Sequence, residues 1–183
     1  MTIAQRMTVQ EFKAFIRRPE NVNRRFELID GEIVEKVPTF LHAKIQGLII
    51  TLLNLFLFDH PIAHVLPEIE VVLPDDNDNE RVPDVGVVLA KGHVLEPNRG
   101  LDFVPELVVE IQSPSQSDAF MRRKADYFLA NGARIVWIVY PRLKLVEVLA
   151  REDRVLLGID DTLTGGDVLP GFTCPVSRIF PTL

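Results

Sequence analysis

The chain has 183 residues, 47% hydrophobic and 25% charged, an ordinary globular composition whose length suits one domain over residues 1–183 and leaves no room for two full ones. Its single cysteine, Cys174, excludes a disulfide framework or a Cys-rich zinc site within one chain and fits a reducing cytoplasm. With 20 Lys and Arg against 26 Asp and Glu, the net charge of −6 excludes coating of nucleic acid by bulk electrostatics.

Positive charge gathers at one end, where Arg6, Lys13, Arg17, Arg18, Arg24 and Arg25 face only Glu11 and Glu20 within residues 1–25. That end is the expected place for an anionic partner. No basic run followed by an apolar one opens the chain, so no export signal is expected. The apolar stretch Leu48 to Phe58 is interrupted by Thr51 and Asn54 and falls short of the about 20 residues that cross a bilayer, so a cytoplasmic protein without a membrane partner is expected.

In chain order, Thr8-Val-Gln-Glu11 has the form of a capping box and predicts a short helix carrying Phe12, Phe15 and Ile16, stopped by Pro19. Phe26 to Val37 alternates around Asp30-Gly31, a hairpin signal. His42, Ile45, Ile49, Leu53 and Phe56 recur at helical spacing and predict a long helix from about Phe40 to Phe58. Two strands are expected at Glu68 to Leu73 and Val85 to Leu89, paired antiparallel across the acidic stretch from Pro74 to Glu80. Leu107 to Gln112 predicts a third strand, and Ser117 to Asn131 a helix capped by Gly132. Arg134 to Tyr140 then reads as a buried strand, a Pro141-Arg142 turn leads to a strand at Lys144 to Leu149, and weaker strand signals follow. The fold class is therefore α/β, a mixed sheet with an αβββαβ core, preceded by a helix and a β-hairpin and followed by extra strands.

Polar residues placed where the periodicity demands apolar ones carry the functional signal, because an unpaired buried charge is costly. On the second long helix Lys124 falls among Phe120, Met121 and Phe128, facing the sheet. It either snorkels to an edge or meets carboxylates. Glu110 lies inside Leu107-Val-Val-Glu-Ile-Gln112 and shares a strand face with Gln112, while Asp84 follows Pro83 at the start of the preceding strand. If those strands are neighbours, Asp84 and Glu110 can ligate one small hard cation, Mg²⁺ above all, with Lys124 positioning or deprotonating a water that attacks a phosphodiester. The bland alternatives are a turn position for Asp84 and a satisfied core histidine for His42.

Phe26-Glu-Leu-Ile-Asp-Gly-Glu32, His42, Val82-Pro-Asp-Val85, Leu107 to Ser115, Lys124 with Asp126-Tyr127, and Trp137-Ile-Val-Tyr-Pro141 together resemble the Uma family of endonuclease-like proteins in the PD-(D/E)XK restriction-endonuclease-like superfamily. The likeness runs from about Arg25 to Val148. It implies a restriction-endonuclease-like fold, Asp84 and Glu110 as metal ligands for Mg²⁺ with Mn²⁺ as a substitute, and Gln112 where the superfamily carries its lysine. Lys124 would be that lysine, moved to the following helix. Glu27 and His42 match family positions that border the site. Two functions then compete: a metal-dependent endonuclease, homodimeric so that both DNA strands are cut, and a nuclease-fold module that binds nucleic acid or protein without cutting.

Overall fold

A computed structural model describes residues 6–181, which fall into two compact units. The first takes the chain through Val37 together with Glu70–Val82 and Glu96–Phe103. Its helix α1 (Val9–Ile16) starts at the predicted capping box, with Glu11 N–H donating to Thr8 Oγ1 and Thr8 N–H donating to the Glu11 carboxylate. Strands β1 (Arg25–Ile29) and β2 (Glu32–Lys36) pair antiparallel around Asp30 and Gly31. Both turn residues have positive φ, +51° and +78°, the backbone that follows the right-handed twist of a two-residue hairpin and that a glycine adopts freely. Phe12 and Leu28 are fully buried in this unit, and Arg81 donates to Asn79 Oδ1 and to Asp30 Oδ1. Arg24, one of the basic residues near the N-terminus, is held by both oxygens of Glu35.

The second unit contains α2 (Phe40–Asp59), β3 (Ala63–Pro67), β4 (Val85–Leu89), β5 (Leu107–Ile111), α3 (Asp118–Ala130), β6 (Ile135–Tyr140), β7 (Leu145–Ala150), β8 (Arg154–Leu157), β9 (Thr162–Gly165) and β10 (Leu169–Pro175). Six strands form one mixed sheet in the order β3-β4-β5-β6-β7-β8, and β9 and β10 pair separately. Only β5 and β6 run parallel in that sheet. Parallel neighbours require a crossover, and α3 is that crossover, packed on β5 and β6.

Side-chain alternation sorts the sheet into two faces. Val85, Val87, Leu107, Val109 and Trp137 join Ile45, Ile49, Leu53 and Leu57 of α2 in one apolar cluster, which Phe172 of β10 completes by stacking on Trp137. Val108, Glu110, Val136 and Ile138 alternate with these residues and so share the opposite face with α3. Each fully buried Val, Leu or Ile contributes about 1.5–3 kcal/mol, so the apolar register largely fixes which strand positions point where. The helix α2 is long and apolar enough, by length and composition alone, to cross a membrane. Its buried Ile45-Ile49-Leu53-Leu57 stripe covers the sheet.

One predicted element moves. The strand paired with β4 is Ala63–Pro67, not Glu68 to Leu73. Glu68 takes φ +48°, a left-handed turn that ends β3, while its N–H donates to the Asp84 carbonyl. From Glu70 the chain belongs to the first unit, where Val71 bridges Arg81 and Leu101.

Candidate metal centre

The β4–β5 ladder pairs Val85 with Val109 and Gly86 with Val108. Asp84 directly precedes β4, and its Oδ2 accepts from the N–H of Ile111, the residue after Glu110 on β5, so the two acidic residues lie on adjacent segments. Asp84 is 1% exposed and Glu110 2%.

Asp84 is fixed from several directions. Its carbonyl accepts from Gln46 Nε2 at 2.8 Å. Its Oδ2 accepts from the Ile111 N–H at 2.7 Å and lies 3.1 Å from His42 Nε2. A carboxylate only accepts, so His42 donates from Nε2, and Nδ1 is the ring's other nitrogen. That Nδ1 is buried with no hydrogen-bond partner among the described residues. The N-terminal turn of α2 positions the ring: Thr39 Oγ1 accepts from the His42 N–H, and His42 lies one turn before Ile45 and Gln46 on the face that meets the sheet.

Glu110 is met from the other layer. Lys124 Nζ donates to Glu110 Oε2 at 2.8 Å, with the two side chains 1% and 2% exposed. On α3 Lys124 is buried with Met121, Ala125 and Phe128, so the expectation of a sheet-facing lysine meeting a carboxylate holds and the snorkelling alternative does not. Gln112 lies beyond the end of β5, where its Nε2 donates to Asp118 Oδ1 at 2.7 Å and to the Gln116 carbonyl at 3.2 Å. Glu27 sits in the first unit, fully buried, accepting the Val82 N–H on Oε1 at 2.8 Å.

Asp84 and Glu110, with the cationic and hydrogen-bonding groups around them, fit a small hard cation. No group of three or more His, Cys, Asp or Glu able to hold a metal occurs among the described residues, so water and substrate oxygens would complete the shell. Mg²⁺ prefers that arrangement, since it dehydrates reluctantly and takes one or two carboxylates.

A second in-strand carboxylate went unnoticed in the sequence. Glu147 is fully buried on β7 and pairs across Ile138 with the row that contains Glu110. It accepts the Tyr140 hydroxyl at 2.6 Å and faces Arg122 of α3 at 3.4 Å and Arg154 of β8. Burial, then this hydrogen bond, push the Tyr140 phenol well above its usual range, while the Glu147 charge raises the Arg122 guanidinium. The flanking Leu145-Val-Glu-Val-Leu149 pattern was the available signal. Arg122, its side chain 43% exposed, thus has a carboxylate partner.

Comparison with known proteins gives a family match and several structural matches. The family described as "Uma2: Putative restriction endonuclease" matches residues 9–177. Among solved structures, a crystal structure of a putative nuclease belonging to DUF820 from Anabaena variabilis ATCC 29413 superposes with a TM-score of 0.79 at 22% sequence identity, covering 95% of this chain and 97% of that one. At that identity the likeness concerns the fold. No curated protein matches the chain.

Proposed function

The chain belongs to the Uma2 family, and from that premise we propose that it is a Mg²⁺-dependent endonuclease of restriction-endonuclease-like fold, hydrolysing phosphodiester bonds in nucleic acid, DNA above all. The observation that carries the reading is Asp84 bonded to the Ile111 N–H, one residue past Glu110, with Lys124 bonded to Glu110. Asp84 and Glu110 hold the cation, for which Mn²⁺ substitutes. When bound, the ion supplies positive charge that polarises a phosphate oxygen and acidifies water.

The remaining work falls to the chain's own groups. In hydrolysis a water oxygen attacks phosphorus, the bond to the leaving sugar oxygen breaks, and that oxygen takes up a proton. Lys124, fixed by Glu110, orients the attacking water and offsets charge developing on the phosphate. His42 acts on Asp84: its Nε2–H holds one carboxylate oxygen in place and so aims the other. Gln112 holds the position at which the resemblance puts the superfamily's lysine. Cutting both strands of a duplex takes two such sites, so the reading includes a symmetric homodimer, acting in the cytoplasm.

Nicking of supercoiled plasmid by the purified protein with Mg²⁺ or Mn²⁺, and its disappearance in EDTA, tests the reading. Retardation of the DNA without a cut would instead support the non-cleaving binding module.

A further inference from the structure

A cavity of about 370 Å³ opens between the start of α2, the loop after β5 and the turn after β6, with His42, Gln112, Gln116, Phe40, Pro141 and Arg142 in its lining. Its volume lies within the ~300–1,000 Å³ of small-ligand sites. Four features give it a chemical character. First, the Phe40 ring is 75% exposed at the wall, an apolar platform that nothing in the second unit's core uses. Second, two amides are set in opposite senses. Gln112 spends its NH₂ on Asp118 and on the Gln116 carbonyl, leaving Oε1 as an acceptor. Gln116 spends Oε1 on the Ser113 N–H, leaving Nε2 as a donor. Both orientations follow from what the amides already bond, so donor and acceptor are fixed before any ligand arrives.

Third, Arg142 makes no ion pair among the described residues, and the lining holds no carboxylate, although 26 Asp and Glu give the chain its net negative charge. The lining also includes Thr39 and Leu41 at the N-terminus of a 20-residue helix with no acidic residue in its first turn, so the positive end of the helix adds to Arg142. Fourth, His42 belongs both to this lining and to the Asp84 contact, which sets the cavity beside the candidate centre.

A flat aromatic face, a fixed donor and acceptor, and a cation together complement a nucleotide: the base stacks on Phe40, its edge meets Gln112 and Gln116, and its phosphate meets Arg142. We propose that this cavity is a nucleotide subsite, holding an unstacked nucleotide beside the phosphodiester that is cut. The inference rests on the nuclease reading for its place in catalysis and deepens it, since an unstacked nucleotide must come from a single strand, a strand end or a locally opened duplex.

The test is calorimetric titration of the purified protein with AMP and dAMP in EDTA, with adenosine and inorganic phosphate as separate probes. Saturable binding of the monophosphates at about millimolar Kd, tighter than either fragment, is expected. Phe40→Ala and Arg142→Ala, both at exposed positions, each weaken it at least about fivefold, in line with the loss of one stacked base or one phosphate contact. Gln116→Ala narrows the differences among AMP, CMP, GMP and UMP. Absence of saturable binding, equal binding by the variants, or binding of phosphate as tight as that of AMP would each overturn the subsite. A protein that nicks plasmid yet binds no mononucleotide overturns the subsite and leaves the nuclease reading standing. One that binds nucleotides as described but never cuts does the reverse.

Discussion

Lys124 reaches from α3 to Glu110 on β5 across 2.8 Å, and both side chains are almost wholly removed from solvent. Buried ion pairs of this kind offset their desolvation only while both members are present, so removing one costs about 3–5 kcal/mol. Lys124→Met and Glu110→Gln should each lower stability by about 3 kcal/mol in urea unfolding, and Lys124→Met should also cut turnover more than Mg²⁺ affinity. The double variant should recover part of the loss. Additive losses in that double-mutant cycle would contradict a coupled pair.

Asp84 responds differently. An Asn at this position keeps an oxygen for the Ile111 N–H, so Asp84→Asn should fold within about 1 kcal/mol of the parent. What it loses is the charge that attracts a cation. Mg²⁺ at about 100 times its Kd should raise the Tm of the parent by about 5 °C or more and leave that of Asp84→Asn unchanged, read by differential scanning calorimetry. Equal Mg²⁺ shifts in both proteins would place the ion elsewhere.

In the first unit, burial and then the nearby Glu70 charge raise Glu80 to about 7, against a smaller opposing effect of Lys13. An acid whose folded pKa exceeds its unfolded one binds a proton more readily when folded, so it stabilises the fold at low pH and loses that contribution as pH rises from about 4.5 to 7. Glu80→Gln should therefore be more stable than the parent at pH 8, by about 1–3 kcal/mol, and close to it near pH 4.5. A difference independent of pH would remove Glu80 as its cause.

Gly31 offers a check on the hairpin. Its φ is +78°, and a Cβ added there would stand 2.6 Å from Arg6 Cβ, which leaves little room for a side chain. Gly31→Ala should therefore cost about 1 kcal/mol or more in thermal unfolding. An unchanged Tm would show that the turn relaxes without cost.

Elements with a local signature were legible in the sequence: the Thr8 capping box, the Asp30-Gly31 turn, and the α2 and α3 stripes all fall where short-range chemistry puts them. So did Lys124, because a charge on an apolar helix face names its own anomaly. The strand before β4 was misplaced because Glu68 to Leu73 carries the stronger β-branched pattern, whereas the real β3 holds His64 and ends on Pro67. Its boundary is set by the positive φ at Glu68, which no side-chain periodicity announces. The bond between His42 and Asp84, 42 positions apart, depends on how α2 lies on the sheet, and the sequence offered only the histidine's place on the stripe. Glu147 was readable by the same reasoning that found Glu110. The paired amides of Gln112 and Gln116 arise from loop geometry and had no sequence signal.

The central claim is that the Asp84–Glu110 pair performs metal-dependent cleavage. The measurement that bears on it most directly is the single-turnover rate of plasmid nicking against Mg²⁺ concentration, for the parent and for Asp84→Asn purified alongside it. The account predicts saturable, EDTA-sensitive nicking by the parent and a rate at least about 100-fold lower for Asp84→Asn at every Mg²⁺ concentration, the scale expected when a group holding the catalytic ion is lost. Equal rates for the two proteins would contradict it.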